Sequence, residues 1–256
     1  MQPAFATTPT LADVTGSESG ILMKTAMPQT SVLEKFDFSF AQKYDAKVRA
    51  TVPAYETMHQ LAMSFLCNGA TSEARMLVTG AGCGMELLTF GTANPDWSFI
   101  GVDPAENMLR IAEHRVNAAG LSKRVGLHFG FVSSLPVDQL YDGATAILVM
   151  HFLSDDGDKS AFLTEIAKRL RPGAPLVLVD LHGDPSSRGF TKLYAAWKTY
   201  LGHIGYDFDS LDKEMEMIRF VPDTRIRALL SEAGFSEIYK FYDAYLFGGW
   251  AAIRRK

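Results

Sequence analysis

The chain has 256 residues, of which 47% are hydrophobic and 21% charged, and its formal net charge is −4. That balance fits one globular domain of generous size or a core with a cap, and it argues against disorder and against a basic surface that tracks phosphates. Two cysteines, Cys67 and Cys83, are too few for a disulfide framework, and the six histidines are scattered without metal-ligand spacing, so no metal site is expected.

Residues 1–30 are rich in Thr, Ser, Ala, Pro and Gly and read as a flexible tail. They lack a basic start followed by an apolar block, so no secretory leader is expected. No apolar stretch approaches the ~18 residues that span a bilayer. A cytoplasmic protein without membrane or nucleic-acid partners is the expectation. From Phe36 aromatics become frequent, and Pro53 opens a predicted helix over 54–67, with Met58, Leu61, Ala62, Phe65 and Leu66 at helical spacing.

After Met76 strands and helices alternate. Strands are predicted at 75–80, 98–103, 125–130, 144–150 and 175–181, with helices at 84–93, 105–119 and 158–170 between them. Such alternation implies a parallel sheet covered on both faces, with ligands at the carboxyl ends of the strands. Residues 183–221 break the rhythm, with helices predicted at 189–202 and around 209–219. A helix from Asp223 to Ala233 and strands at 236–243 and 246–254 close the chain.

The first predicted strand ends in Thr79-Gly-Ala-Gly-Cys-Gly84, and the second ends in Gly101-Val-Asp103. Glycines let backbone approach a ligand where a Cβ would clash, and a carboxylate at the next strand tip can accept from both ribose hydroxyls. The spacing is G-x-G-x-G rather than the G-x-G-x-x-G of dinucleotide binding, which points away from NAD and toward S-adenosylmethionine (SAM). Each residue also has a structural alternative: a plain tight turn for the glycines, a helix cap for Asp103, and core packing for Met108.

In this order and spacing the segments resemble class I SAM-dependent methyltransferases. The resemblance rests on Met76–Gly84, on Gly101-Val-Asp-Pro-x-x-x-Met-Leu109, and on Leu127–Gly130 with Ser133–Pro136. It continues through Leu148–Leu153, Arg169–Asp180 and Leu229–Phe235, and covers roughly 180 residues. It implies an α/β fold: a Rossmann-like, seven-stranded, mostly parallel sheet with an antiparallel last strand and helices on both faces. An N-terminal helical cap at 31–70 and a methyltransferase domain at 71–256, with a lid inserted at about 183–221, complete the expected organisation.

The resemblance assigns cofactor contacts to Gly80, Ala81, Gly82, Gly84, Asp103, Pro104, Met108, Phe131, Val132 and Met150. Two family acids are absent. Thr79 stands directly before the first glycine, where an acid usually serves the methionine end of SAM, and Phe131 replaces the acid at adenine. Phe131 could stack beside the base instead.

The stretch Tyr44-Asp-Ala-Lys-Val-Arg49 with Pro53 and Tyr55, and the closing Phe241–Phe247, narrow the likeness to small-molecule enzymes related to carboxy-SAM synthase. There an amino-terminal helix folds over the cofactor, so Tyr44, Arg49 and Tyr55 become candidates for its carboxylate end. Tyr55, Tyr194 and Trp197 are the expected acceptor contacts. His151 and His182, just past the fourth and fifth strands, are the candidate bases, with lining of the pocket as the alternative role for each.

Methyl transfer needs alignment and exclusion of water more than a fixed catalytic signature. The acceptor is therefore expected to be a small, partly aromatic or apolar molecule whose identity the chain does not reveal. A homodimer is compatible with the chain. A carboxy-SAM synthase-like enzyme, an NAD-linked oxidoreductase and a non-catalytic SAM-binding protein stay open as alternatives, the second disfavoured by the glycine spacing.

Overall fold

The structure, a computed structural model, describes residues 38–206 and 211–256. The tail expected at 1–30 lies outside the described residues, as do Phe36 and Phe208. Helices α1 (Phe38–Thr51) and α2 (Tyr55–Gly69) lead into β1 (Arg75–Thr79), α3 (Met85–Ala93), β2 (Ser98–Asp103), α4 (Glu106–Ala118) and β3 (Val125–Phe129). Then follow β4 (Gly143–Ile147), α5 (Asp158–Lys168), β5 (Pro175–Leu181), α6 (Arg188–His203), α7 (Leu211–Met215), α8 (Asp223–Glu232), β6 (Phe235–Ala244) and β7 (Phe247–Arg254).

The seven strands form one sheet in the order β3-β2-β1-β4-β5-β7-β6. The first five are mutually parallel, and β7 runs antiparallel to both β5 and β6. Alternating side chains feed two cores. On one face Val78, Phe99, Val177 and Val179 pack under Met58, Leu66, Leu87 and Phe90 of α2 and α3. On the other, Leu77, Ala144, Leu176 and Leu178 meet Leu163 and Ile166 of α5 and Ile226 and Leu229 of α8. Strand order reverses between β1 and β4, so a crevice opens at the carboxyl ends of β1, β2 and β4.

Two elements end more than two residues short of the expectation. The strand expected over 144–150 stops at Ile147, because Leu148 adopts a left-handed φ of 58° and leaves the sheet. Met150 and His151 consequently sit in a 3-10 turn, Met150–Phe152. Among the described residues, the helix expected around 209–219 spans Leu211–Met215.

Helix α1 lies across the glycine turn, where the Cys83 thiol donates to Ala41 O at 3.4 Å. The same helix meets the inserted segment. Trp197 of α6 donates its indole N–H to Thr51 O at 2.8 Å, and Lys47 pairs with Glu214 at 2.5 Å. Tyr242 donates its hydroxyl to Pro53 O, so β6 holds the α1–α2 corner as well. Among the described residues, no helix is long and apolar enough to cross a membrane.

Candidate active site

The glycine turn is pinned by backbone bonds. Gly80 N and Ala81 N both donate to Val102 O, at 2.8 and 3.0 Å, which ties the end of β1 to the end of β2. Gly80 has φ +67°, and a Cβ there would lie 2.2 Å from Val149 Cγ2, so both conformation and space require glycine. Gly82 N donates to Asp103 Oδ2 and Ala105 N donates to Asp103 Oδ1, each at 2.8 Å. Asp103 thus braces the turn and the start of α4 together.

The carboxylates around the turn are short of solvent. Burial pushes Asp103 up to about 6 against the pull of its two backbone N–H bonds. Glu86, in the first turn of α3, is pushed up to about 8 by burial, with Asp103 and Asp45 adding to the effect. Burial and the same acids raise the hydroxyl of Tyr44 far above its ordinary value, and burial pushes the Cys83 thiol up to about 12.

Beside the turn, Met108 packs with Ala41, Cys83 and Ala105. Its Cε would be 3.5 Å from a Cβ placed on Gly82, so the methionine walls the open side of that glycine. Pro104 links Asp103 to Ala105 half-buried, while Phe131 caps the 3-10 turn Val132–Ser134 with Val132 buried behind it. Arg49 pairs with Glu56, contacts Met85 Sδ at 3.5 Å and lies over the Tyr55 ring at 5.5 Å. Tyr55 itself is buried against His59.

These residues fit a nucleoside bearing a cation. Glycines leave room beside the backbone, Asp103 offers acceptor lone pairs beyond its two N–H bonds, and a buried acid without a hydrogen-bonded partner on one oxygen stands next to it.

At the ends of β4 and β5 the two candidate histidines separate. His151 Nδ1 is hydrogen-bonded to Asp180 Oδ1, and both side chains are buried. Leu181 N also donates to that oxygen at 2.8 Å. Lys159, fully buried, donates to Met150 O at 2.7 Å, which holds the turn that carries His151; burial lowers its pKa, and Asp180 and Asp155 oppose that fall. Arg219 N donates to His151 O at 2.8 Å.

His182 has a different set of partners. Its Nε2 lies 3.3 Å from both Asp243 Oδ1 and Lys240 Nζ, and its ring meets Trp250 edge-on at 5.2 Å. Met150, expected at the cofactor, is buried in the core on the α5 and α8 side of the sheet.

In the inserted segment the aromatics divide. Trp197 is 2% exposed and packs on Phe247 while bonding Thr51, so it fastens the segment to the core. Tyr194 donates its hydroxyl to Asp212, with Lys198 paired to the same carboxylate. Phe190 meets Phe220 edge-on at 4.9 Å.

Asp180 lies two residues before His182 in the chain, yet the fold pairs it with His151. An acid closing the otherwise apolar run Pro175–Leu181 is the signal available for it. Glu86 has a weaker signal. In a first turn an acid reads as a helix-dipole partner, and only its burial marks it out.

A methyltransferase-domain family model matches residues 77–176. A carboxy-S-adenosyl-L-methionine synthase from Campylobacter hominis is 24% identical over 207 residues, covering 78% of this chain and 86% of that protein. An O-methyltransferase from Aspergillus nomiae is 30% identical over 111 residues, covering 43% of this chain and 48% of its own length. Human N-acetylserotonin methyltransferase, solved in complex with SAM, shares the fold, with a TM-score of 0.62 at 15% identity over 90% of this chain and 60% of that one. The chain thus carries a methyltransferase domain, set on a seven-stranded sheet with a crevice at its switch point.

Proposed function

We propose that this enzyme methylates a hydroxyl group of a small, partly aromatic molecule, with His151 as the base. The observation that carries the reading is the buried His151–Asp180 pair at the ends of β4 and β5. With Nδ1 turned to the carboxylate, Nε2 is the atom that exchanges a proton with the acceptor. Asp180 holds the ring and stabilises the imidazolium that forms. The partial likeness to an O-methyltransferase supports the same chemistry.

Bound SAM supplies a methyl group already activated on a sulfonium. The chain's part is to hold that nucleoside on the glycine turn and Asp103, to receive the acceptor proton on His151, and to exclude water. Exclusion falls to α1 and the inserted segment, whose half-buried Phe190, Tyr194 and Phe220 supply apolar wall for the acceptor. The two unbridged cysteines suit a reducing cytoplasm.

The test uses purified full-length protein, SAM and a panel of phenols and hydroxyquinones, with S-adenosylhomocysteine release read by mass spectrometry. For any phenol or hydroxyquinone turned over, His151→Gln should lose most of kcat while SAM affinity stays within threefold. Unchanged kcat removes His151 as the base. A carboxylated SAM found in the purified protein would move the reading to a synthase like its Campylobacter relative.

A further inference from the structure

Thr79, directly before the first glycine, offers the crevice no acceptor. Its side chain is fully buried and its hydroxyl donates to Thr145 O at 2.7 Å, into the sheet between β1 and β4. The strand that enters the glycine turn, β1, therefore supplies no acid to the amino group of the donor.

Glu86 lies two residues beyond Gly84. It is 5% exposed, and its Oε1 has no hydrogen-bond partner among the described residues. Its surroundings are those of the crevice. Asp103 raises its pKa, and Glu86 in turn raises those of Tyr44 on α1 and Tyr55 on α2. The acids Asp45 and Asp103 and the hydroxyls of Tyr44 and Tyr55 are the titratable groups around it. The nearby cations are engaged elsewhere, Arg115 with Asp45 at 2.5 Å and Arg49 with Glu56. A buried carboxylate with an open acceptor, ringed by other acids, is costly to keep unless a cation arrives. SAM brings two cationic groups, an ammonium and a sulfonium.

We infer that Glu86 is the anchor for the α-ammonium of SAM in this chain, doing from the first turn of α3 what Thr79 cannot do from the end of β1. The choice of ammonium over sulfonium follows from chemistry. An ammonium donates hydrogen bonds to an open carboxylate oxygen, whereas a sulfonium has no N–H or O–H to give. The inference rests on SAM being the donor and adds which residue reads its amino-acid end.

Isothermal titration of the full-length protein tests it with four ligands: SAM, S-adenosylhomocysteine, the deamino analogue of S-adenosylhomocysteine, and 5′-methylthioadenosine. In the wild type, removing the amine should weaken binding at least tenfold. Glu86→Gln should weaken SAM and S-adenosylhomocysteine at least tenfold and leave 5′-methylthioadenosine within threefold, which also reports that the variant is folded. Equal wild-type affinity for S-adenosylhomocysteine and its deamino analogue overturns the inference without any variant. So does equal weakening of all ligands by Glu86→Gln, or weakening of SAM alone, which would make the sulfonium the partner. Failure of the wild type to bind any of the four would instead strike at the donor itself, and at this anchor with it.

Discussion

The two ends of the crevice are built by different means. The donor end, from Gly80 to Asp103, is made of backbone: turn geometry, two N–H bonds into one carboxylate, and a methionine wall. The end at β4 and β5, where we place the acceptor, relies on side chains brought together over longer sequence distances, with His151 bonded to Asp180 and Trp197 fastening the inserted segment to Thr51. Backbone devices tolerate little variation and bind one ligand. Side-chain assemblies can be exchanged piecemeal, which is how one fold serves many acceptors.

The strongest way to separate the two ends is His151→Gln. A general base contributes roughly a hundred- to ten-thousandfold, so kcat should fall in that range with SAM affinity held within threefold. A parallel loss of SAM affinity would merge the two ends into one unit.

Glu86 should make the donor end pH-sensitive. A folded-state value of about 8 against an ordinary 4.5 means that the native protein retains a proton the unfolded chain gives up between those values. Ligand-free stability should therefore fall as pH rises from about 4.5 to 8, by on the order of a few kcal/mol, with Asp103 adding its share up to about pH 6. Thermal melts of Glu86→Gln should lack most of that slope and exceed the wild type at pH 8.5. Parallel melting profiles would remove Glu86 as a buried acid.

Asp103→Ala should weaken SAM binding at least tenfold by titration, since it removes both the carboxylate and the brace on Gly82 N. Unchanged affinity would take Asp103 out of the site. The smallest effect is expected from Trp197→Phe, which keeps the ring packing but loses the bond to Thr51. A stability loss of about 1 kcal/mol in denaturant melts, with SAM affinity intact, is the outcome expected of a fastening residue. A large change in acceptor KM would place Trp197 at the pocket.

The sheet was legible because its signals are local. Apolar runs such as Leu176–Leu181 and breaks such as Arg171-Pro-Gly173 mark strands and helix ends within a few residues. The exception is instructive: Leu148 and Val149 look like more strand, yet Leu148 turns left-handed and carries His151 into a 3-10 turn. Its apolar side chain gives no warning of that φ. The glycine turn was readable as well, since positive φ and close backbone approach admit few residue types.

By itself the sequence determined the sheet, the crevice and the donor, because each depends on residue types within short windows. Only the tertiary structure decided that Asp180 belongs to His151 rather than to His182, that Thr79 turns into the sheet, and that Glu86 is buried with an open oxygen. Partner choice and burial depend on which distant segments a fold brings together, and that is long-range packing, which no local pattern encodes.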